Sequence, residues 1–391
     1  MISISRLVCG NEYFGDSLRY NKTSHGQKHG TSSGFGPVVV WNVTRTCNLR
    51  CKHCYSDSAS DIVEKELSTK EALSLIDNLA EFNVPVILFS GGEPLLRPDF
   101  FELVDYAGKK GIRATISTNG TLITPDLARD IKRAGVSYVG ISLDGIGENN
   151  DRFRGKKGAF EAALQGIQYC RREDQRVGLR FTINKHNYLE LPEIFKLLEE
   201  EDIPRVCFYH LVYSGRGSKM IEEDISHEET RSALDLIIDR TENFHRKGLD
   251  KEVLTVDNHA DGVYVYLKLL QQDPVRAKEA LSLLRLNGGN RSGIAIGQID
   301  WQGNVHPDQF TQNHHLGNIT QTSFAEIWGS PTSEILKGLK ERKSLLTGRC
   351  KQCRWLDICN GNFRPRAEAV HGDFWAPDPA CYLTDQEIDL A

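Results

Sequence analysis

Six short apolar runs in the first half of the chain alternate with amphipathic segments of helical period. The apolar runs cover residues 38–43, 86–89, 112–117, 138–142, 178–182 and 206–211, and the amphipathic segments cover 69–81, 98–109, 125–134, 159–171 and 189–200. Runs of this length predict buried strands, and the segments between them predict helices. Strands alternating with helices predict right-handed βαβ units and a parallel sheet. Six such units favour an α/β fold with a partial (β/α)6 barrel of the TIM type over a flat doubly wound sheet, although the period alone does not separate the two.

The pattern changes after residue 213 and divides the chain into four predicted regions. Residues 1–36 are rich in Gly, Ser, Asn and Lys and predict an extended N-terminal arm, and residues 37–213 form the barrel. Residues 214–289 predict a helical connecting region. Residues 290–391 predict a separate C-terminal domain that begins with a hairpin around Gln302-Gly303. Its last part, from about residue 347, is rich in Cys, Pro and Gly. Such a segment needs a cross-link, such as a bound metal, to form a core.

Charge and the lengths of the apolar runs exclude several classes of function. Lys and Arg number 48 and Asp and Glu number 53, which gives a net charge of −5, and no block of five like charges occurs. Nothing therefore predicts a surface for nucleic acid. The apolar runs are far shorter than the ~20 residues that cross a bilayer, and residues 1–10 lack the apolar core of a secretory signal. We expect a cytoplasmic protein that binds neither nucleic acid nor membrane.

Ten cysteines carry the most informative chemistry in the composition. Seven form two tight groups, and the other three, Cys9, Cys170 and Cys207, are isolated. Short gaps between cysteines in a long chain favour metal binding in a reducing compartment over a disulfide framework.

The first cysteine group, Cys47, Cys51 and Cys54, follows the first predicted strand with the spacing Cys-x3-Cys-x2-Cys. Three thiolates on one loop can hold three irons of a [4Fe–4S] cube and leave the fourth iron without a protein ligand. Catalytic metal sites keep such an open position, whereas structural sites close it. The alternative is a zinc site with His53 as a fourth ligand. We predict that the three cysteines bind a catalytic [4Fe–4S] cluster.

Further polar residues stand near the ends of the next predicted strands. They are Gly91, Gly92 and Glu93 after the second strand, Asn119 after the third, Ser142 after the fourth, and Arg154 a little further on. The carboxyl ends of barrel strands meet at one rim, where active sites form. Each residue alone has an ordinary explanation as part of a turn or as a solvated side chain. Their register with the cysteine loop favours a common site.

The cysteine loop and the Gly-Gly-Glu segment together resemble those of the radical S-adenosylmethionine (SAM) enzymes. The resemblance implies a [4Fe–4S] cluster whose open iron binds SAM. It also implies that Gly91-Gly92-Glu93 binds the methionine moiety, that Ser142 and Arg154 contact the ribose and the carboxylate, and that Asn119 is either a contact or a turn residue. Reductive cleavage of SAM then gives a 5′-deoxyadenosyl radical that abstracts a hydrogen atom.

The second cysteine group lies in the tail with the spacing Cys350-x2-Cys353-x5-Cys359-x21-Cys381. Four thiolates can close a second [4Fe–4S] cube, although the spacing also allows structural zinc. The group resembles the SPASM or twitch-like region of radical SAM proteins, which implies an auxiliary cluster. Asp308 and Phe363 stand where the two-cluster version of this region has further cysteines. We therefore predict one auxiliary cluster.

Within the superfamily, residues 37 to 385 resemble the haem d1 biosynthesis enzymes, through segments such as 41–47, 138–145, 213–217, 258–264 and 353–359. The resemblance implies removal of two propionate side chains from a decarboxylated sirohaem, with electrons from a flavodoxin or ferredoxin. The alternatives are another radical SAM haem-pathway enzyme, which decarboxylates side chains, and a peptide-modifying SPASM maturase. Candidates for contacts with an anionic macrocycle are Arg180, His210, Tyr213, Arg216, His259 and Arg364.

Overall fold

One eleven-stranded sheet organises the chain in a computed structural model, which describes residues 1–20, 30–31, 35–61, 65–329 and 333–389. The strands are β1 (Ile2–Ser3), β2 (Val38–Thr44), β3 (Val86–Gly91), β4 (Arg113–Thr118), β5 (Tyr138–Ser142), β6 (Val177–Ile183), β7 (Arg205–His210), β8 (Glu252–Val256), β9 (Ile296–Ile299), β10 (Asn304–His306) and β11 (Gly317–Asn318). Their order across the sheet is β1-β8-β7-β6-β5-β4-β3-β2-β9-β10-β11.

The strands from β2 to β8 pair in parallel with their neighbours in the chain, and β9 pairs in parallel with β2. All six predicted strands are present. The seventh, β8, lies in the region predicted to be helical, and that prediction is wrong for these five residues. All five are buried. A run this short, between two long helical segments, carries no period of its own that would distinguish a strand.

Helices cover the outer face of the sheet and form much of the remaining chain. They are α1 (Asp16–Arg19), α2 (Thr69–Glu81), α3 (Phe100–Lys109), α4 (Pro125–Arg133), α5 (Glu148–Arg154), α6 (Ala159–Arg172), α7 (Leu191–Glu200), α8 (His227–Arg246), α9 (Ala260–Gln272), α10 (Pro274–Asn287), α11 (Phe324–Gly329), α12 (Glu334–Lys340), α13 (Gly348–Gln352), α14 (Leu356–Cys359) and α15 (Arg364–His371). The five predicted helices correspond to α2, α3, α4, α6 and α7. Within the described ranges, no helix is long and apolar enough to span a bilayer.

The sheet curves into a partial barrel. Neighbouring strands lie ~4.8 Å apart, so β2 and β8, six positions apart, would be separated by about 29 Å in a flat sheet. Nevertheless, Cys47 and Cys54, which follow β2, line the same cavity as Asp257, which follows β8. Only a curved sheet brings these ends together. The partial barrel that the sequence predicts is confirmed over the flat alternative.

The first twenty residues are not the extended arm that their composition predicts. Strand β1 pairs antiparallel with β8 and covers that edge of the sheet. Ile2, Ile4 and Leu7 are buried in the main core. The hydroxyl of Ser5 accepts a hydrogen bond from the amide of Val253 at 2.9 Å. Half of these twenty residues are apolar, and the polar composition that predicts an arm lies mostly in residues 21–36. Residues 21–29 and 32–34 of the predicted arm lie outside the described residues.

The tail continues from the barrel sheet through the predicted hairpin of β9 and β10, which pair antiparallel. Buried arginines supply much of its internal bonding. Arg342 donates to the carbonyl of Ser292 at 2.8 Å, and Arg364 donates to that of Ala376 at 2.6 Å. Both guanidinium groups lie almost wholly out of solvent. Hydrogen bonds from buried arginines to main-chain carbonyls thus help to organise this segment.

A buried ion pair fastens the tail to the barrel. Arg366 donates to the two carboxylate oxygens of Asp378 at 2.9 and 2.8 Å, and both side chains are fully buried. The same guanidinium donates to the carbonyls of Leu211 and Asp257, which follow β7 and β8, at 3.1 and 2.6 Å. Burial alone would raise the pKa of Asp378, but Arg366 holds that pKa below its ordinary value.

We expect Asp378→Asn to lower the free energy of unfolding by about 3–5 kcal/mol, because the guanidinium of Arg366 stays buried without a counter-charge. Urea denaturation followed by tryptophan fluorescence measures the change. The matched control is Asp389→Asn, which breaks the exposed pair with Arg354 and should cost no more than about 1 kcal/mol. Equal unfolding midpoints for the two variants would contradict this account of the tail.

Candidate active site

The loop after β2 carries Cys47, Cys51 and Cys54 and rests against the end of α5. The amides of Arg50 and Lys52 donate to main-chain carbonyls of α5 at 3.2 and 3.0 Å. A helix that follows β5 therefore fixes the shape of a loop that follows β2.

Hydrogen-bond donors point at each of the three sulfur atoms. The donors are the amide of Leu49 to Cys47 at 3.4 Å, Nη1 of Arg154 to Cys51 at 3.5 Å, and the amide of Ser58 to Cys54 at 3.5 Å. Donors directed at sulfur stabilise the thiolate, the form that binds metal.

Burial opposes the charge of these thiolates. It raises the pKa of Cys47 to about 12, and it also raises the pKa of Cys51 against the opposing charge of Arg154. Thiolates in such surroundings need a cationic partner, which iron supplies. Nε2 of His53, the alternative fourth ligand, lies 3.5 Å from Oδ2 of Asp144. In the described part of the chain, no three His, Cys, Asp or Glu side chains converge as a single metal ion requires. Three thiols on one loop, each with a hydrogen-bond donor directed at its sulfur, fit the ligand set of the predicted cluster.

Gly91 and Gly92 bring the end of β3 into direct contact with the cysteine loop. The amide of Gly92 donates to the carbonyl of Thr44 at 2.8 Å. A Cβ atom on Gly91 would lie 2.3 Å from that carbonyl oxygen, and one on Gly92 would lie 2.1 Å from the carbonyl oxygen of Thr46. Gly91 also has a φ of 131°. No larger residue fits at either position without displacing the loop.

Glu93, which we predict to bind the methionine moiety, is held by hydrogen-bond donors from the end of β4. Its side chain is fully buried and does not line the cavity beside the cysteines. One carboxylate oxygen accepts from the hydroxyl of Thr118 at 2.7 Å, and the other accepts from the amide of Asn119 at 2.9 Å. Burial raises the pKa of Glu93 to about 7, and these donors oppose that rise. Glu93 therefore ties the end of β3 to the end of β4.

The other predicted contacts lie together around the cavity. Asn119, Ser142 and Arg154 all line it with the three cysteines and the two glycines. The side-chain Nδ2 of Asn119 donates to Oδ1 of Asn48 at 2.8 Å. Arg154 pairs with the buried carboxylate of Asp144 at 2.5 Å, and its Nε has no hydrogen-bond partner among the described residues. The structure thus assembles residues from four successive strand ends at one rim.

The cavity opens to solvent at the carboxyl ends of the parallel strands. Tyr55, Tyr209, Asp257 and Phe310 line it, although sequence reasoning did not single them out. Asp257 is the most unusual of them. It has a φ of 68°, burial raises its pKa to about 7, and its Oδ2 has no partner within the described ranges.

The candidates for macrocycle contacts divide into two sets. Arg180, His210 and Arg216 line the cavity, whereas Tyr213, His259 and Arg364 do not. Arg216 also braces the cysteine loop, because its Nε donates to the carbonyl of Cys51 at 2.8 Å.

The four tail cysteines surround a second cavity, which Ala260 of α9 also lines. Burial raises the pKa of Cys381 to about 12 and raises the pKa values of the other three thiols. Asp308 and Phe363 hold no place around this cavity. Asp308 accepts hydrogen bonds from the amides of Phe310 and Thr311 at 2.8 and 2.9 Å, and Phe363 packs on Phe310.

Known proteins share this arrangement. Residues 41–198 match the radical SAM superfamily, and residues 296–354 match the SPASM iron–sulfur cluster-binding domain. The chain is 57% identical to the Fe-coproporphyrin III synthase of Methanosarcina barkeri over 99% of both chains. The chain belongs to the radical SAM superfamily. Radical SAM enzymes bind SAM and a [4Fe–4S] cluster, and SPASM regions bind auxiliary iron–sulfur clusters.

Two further comparisons agree with this radical SAM assignment. The chain is 44% identical to the pre-heme d1 synthase of Dinoroseobacter shibae, over 91% of this chain and 88% of that one. The solved structure of anSMEcpe with bound AdoMet superposes with a TM-score of 0.69 at 19% identity, over 90% of this chain and 91% of that one. The superposition supports the predicted fold, a partial barrel with a cysteine-rich tail.

Glu93 gives this radical SAM enzyme a pH dependence that can be measured. Its folded-state pKa of about 7 lies above the ordinary 4.5. The protonated form therefore favours folding, and the contribution is present below about pH 4.5 and lost as the pH rises through about 7. We expect the free energy of unfolding of the wild type to fall relative to that of Glu93→Gln across this window. Paired urea titrations at several pH values test this, and a difference that does not change with pH would contradict it.

Proposed function

We propose that the chain is a radical SAM enzyme of tetrapyrrole biosynthesis that forms Fe-coproporphyrin III. The observation that carries this proposal is the 57% identity with Fe-coproporphyrin III synthase over 99% of both chains, against 44% with pre-heme d1 synthase. The cavity supports it, because its wall combines aromatic and aliphatic side chains with a guanidinium group. A flat, anionic macrocycle needs such a lining.

If the product is Fe-coproporphyrin III, the side chains that the enzyme removes are acetates and not propionates. Coproporphyrin keeps one propionate on each of its four rings, so a decarboxylated sirohaem must lose its two acetate side chains to become Fe-coproporphyrin III. Removal of propionates, which the sequence resemblance implies, is the second candidate, and the similarity to pre-heme d1 synthase favours it. The two reactions differ in mass by one methylene for each side chain lost.

In this proposal, Cys47, Cys51 and Cys54 hold three irons of the catalytic cluster and leave the fourth to SAM. The backbone of Gly91-Gly92 and the side chains of Ser142 and Arg154 surround SAM. When bound, the cluster and SAM supply one-electron cleavage of the sulfonium and a radical that abstracts hydrogen. Glu93 acts as a positioning residue, because it fixes Asn119 at the edge of the cavity.

Arg180 is the residue best placed to bind a substrate carboxylate. Its guanidinium lies 4.8 Å from the ring centre of Tyr209 and lines the cavity from β6. No carboxylate within the described ranges lies within ion-pair distance of it. A planar guanidinium without a counter-charge suits bidentate binding of a propionate. The stacked ring holds the guanidinium in place and limits its motion.

The auxiliary cluster completes the proposed enzyme. Cys350, Cys353, Cys359 and Cys381 hold it, since these four thiols surround the second cavity. It exchanges electrons with the substrate end of the large cavity, and a flavodoxin or ferredoxin reduces the catalytic cluster.

We expect Cys47→Ala to abolish reductive SAM cleavage and to lower the iron content from about eight to about four per chain, because the tail cluster remains. Iron and sulfide analysis together with assay of 5′-deoxyadenosine under dithionite measure both effects. The matched control is Cys170→Ala in α6, another buried thiol, which should keep both clusters and full cleavage. Normal cleavage by Cys47→Ala would overturn the assignment of this ligand.

The reaction itself is tested by anaerobic incubation of the reconstituted chain with SAM, reductant and a decarboxylated sirohaem. We expect mass spectrometry to detect Fe-coproporphyrin III, with all four propionates retained, and 5′-deoxyadenosine formed in proportion. A product that has lost two propionates would favour the second candidate. SAM cleavage without any change in the tetrapyrrole would contradict both.

A further inference from the structure

His210, the last residue of β7, lines the large cavity although only 6% of it is exposed. Its Nε2 lies 2.9 Å from Oδ2 of Asp261. Its Nδ1 makes no hydrogen bond with any residue that the structure describes, and it is not among the nitrogens shut off from solvent. The ring thus uses one nitrogen inside the protein and presents the other to the cavity.

Asp261 fixes which nitrogen carries the proton. It is fully buried in the first turn of α9, and its Oδ1 accepts a hydrogen bond from the hydroxyl of Tyr382 at 2.9 Å. Its carboxylate therefore acts as the acceptor for both neighbours, and His210 donates from Nε2. In that tautomer, Nδ1 carries a lone pair directed away from Asp261. Histidines that bind metal have this arrangement, in which a carboxylate holds the second ring nitrogen.

A purely structural histidine would use both nitrogens inside the fold. His306 does so, since its Nδ1 faces the carbonyl of His314 at 3.2 Å and its Nε2 faces Asp300 at 3.5 Å. His210 differs because its second nitrogen faces the cavity. The neighbouring lining residues are Leu211, Val212 and Phe310, together with Arg180 on the adjacent strand β6. They add apolar side chains and one cation to the lining of the cavity that His210 faces.

We propose that His210 binds the iron of the tetrapyrrole substrate as an axial ligand through Nδ1, with Asp261 and Tyr382 as positioning residues. This inference rests on the proposed function, because the substrate must contain iron. Binding at the iron fixes the centre of the macrocycle, and Arg180 then selects its rotation through a propionate. Together they determine which side chain faces SAM.

The test uses ferric Fe-coproporphyrin III as the probe and metal-free coproporphyrin III as its matched control. Both are titrated into the full-length, anaerobically reconstituted protein. We expect His210→Ala to weaken binding of the iron form by at least about tenfold and to leave binding of the metal-free form within a factor of about two. Added imidazole should restore the binding of the iron form to the His210→Ala variant. Equal weakening of both forms would overturn the axial assignment.

Spectroscopy gives a readout that does not depend on a variant. With the clusters oxidised and diamagnetic, electron paramagnetic resonance detects the ferric porphyrin in the wild-type protein. Labelling with ¹⁵N-histidine should change the hyperfine coupling of an axial nitrogen, and an unchanged coupling would overturn the proposal. Asp261→Asn should keep the histidine coupling and shift the iron–nitrogen stretching frequency, whereas an unshifted frequency would remove Asp261 from the proposed role.

The outcomes separate this inference from the function on which it rests. If the wild type binds neither porphyrin, the proposed tetrapyrrole function is overturned, and the axial ligand with it. If it binds both forms equally well and shows no histidine coupling, the tetrapyrrole function stands and the axial ligand is overturned.

Discussion

The curvature of the parallel sheet is the constraint on which the site depends. A flat sheet of the same strands would leave the cysteine loop after β2 and the polar residues after β7 and β8 far apart. Because the sheet curves, the strand ends converge on one cavity, and their side chains leave bulk water together. Arg366 reinforces this convergence, since it donates to carbonyls that follow both β7 and β8. The tail thus helps to hold the barrel rim in shape.

Convergence also determines the electrostatics of the cavity. A buried charged group needs an ion pair or hydrogen bonds, and only some of the charged groups at the rim have them within the protein. Arg154 forms an ion pair with Asp144, and the carboxylate of Glu93 accepts hydrogen bonds from donors at the end of β4. Asp257 and Arg180 line the cavity without a matching ion pair in the described part of the chain. Arg154 belongs to both groups, because it pairs with Asp144 and also lines the cavity, where its Nε has no hydrogen-bond partner among the described residues. Pairing within the protein therefore fixes the position of this guanidinium without removing it from the cavity.

Much of this arrangement could be predicted from sequence because it has local signals. Buried strands and amphipathic helices repeat through the barrel, and the cysteine spacings specify thiol-rich loops. Asp257 was missed because β8 is five residues long and lies between two helical segments. The buried position of Glu93 depends on donors from the next strand, which no local pattern reveals. The docking of residues 1–20 was missed because the polar residues at 21–36 dominate the composition of the whole stretch 1–36.

The structure shows what Asp308 and Phe363 do at the two positions where the tail lacks a cysteine. Asp308 holds the amide of Phe310, and Phe363 packs edge-on against the same ring at 5.6 Å. Phe310 in turn contacts Tyr55 at 5.3 Å and lines the cavity. Positions that hold cluster ligands in two-cluster tails therefore support an aromatic wall here. Such a wall suits a flat macrocycle better than a solvated peptide, because aromatic rings bury large apolar area with fixed geometry. Under the proposed function, the residues at these two positions support a wall against the planar substrate.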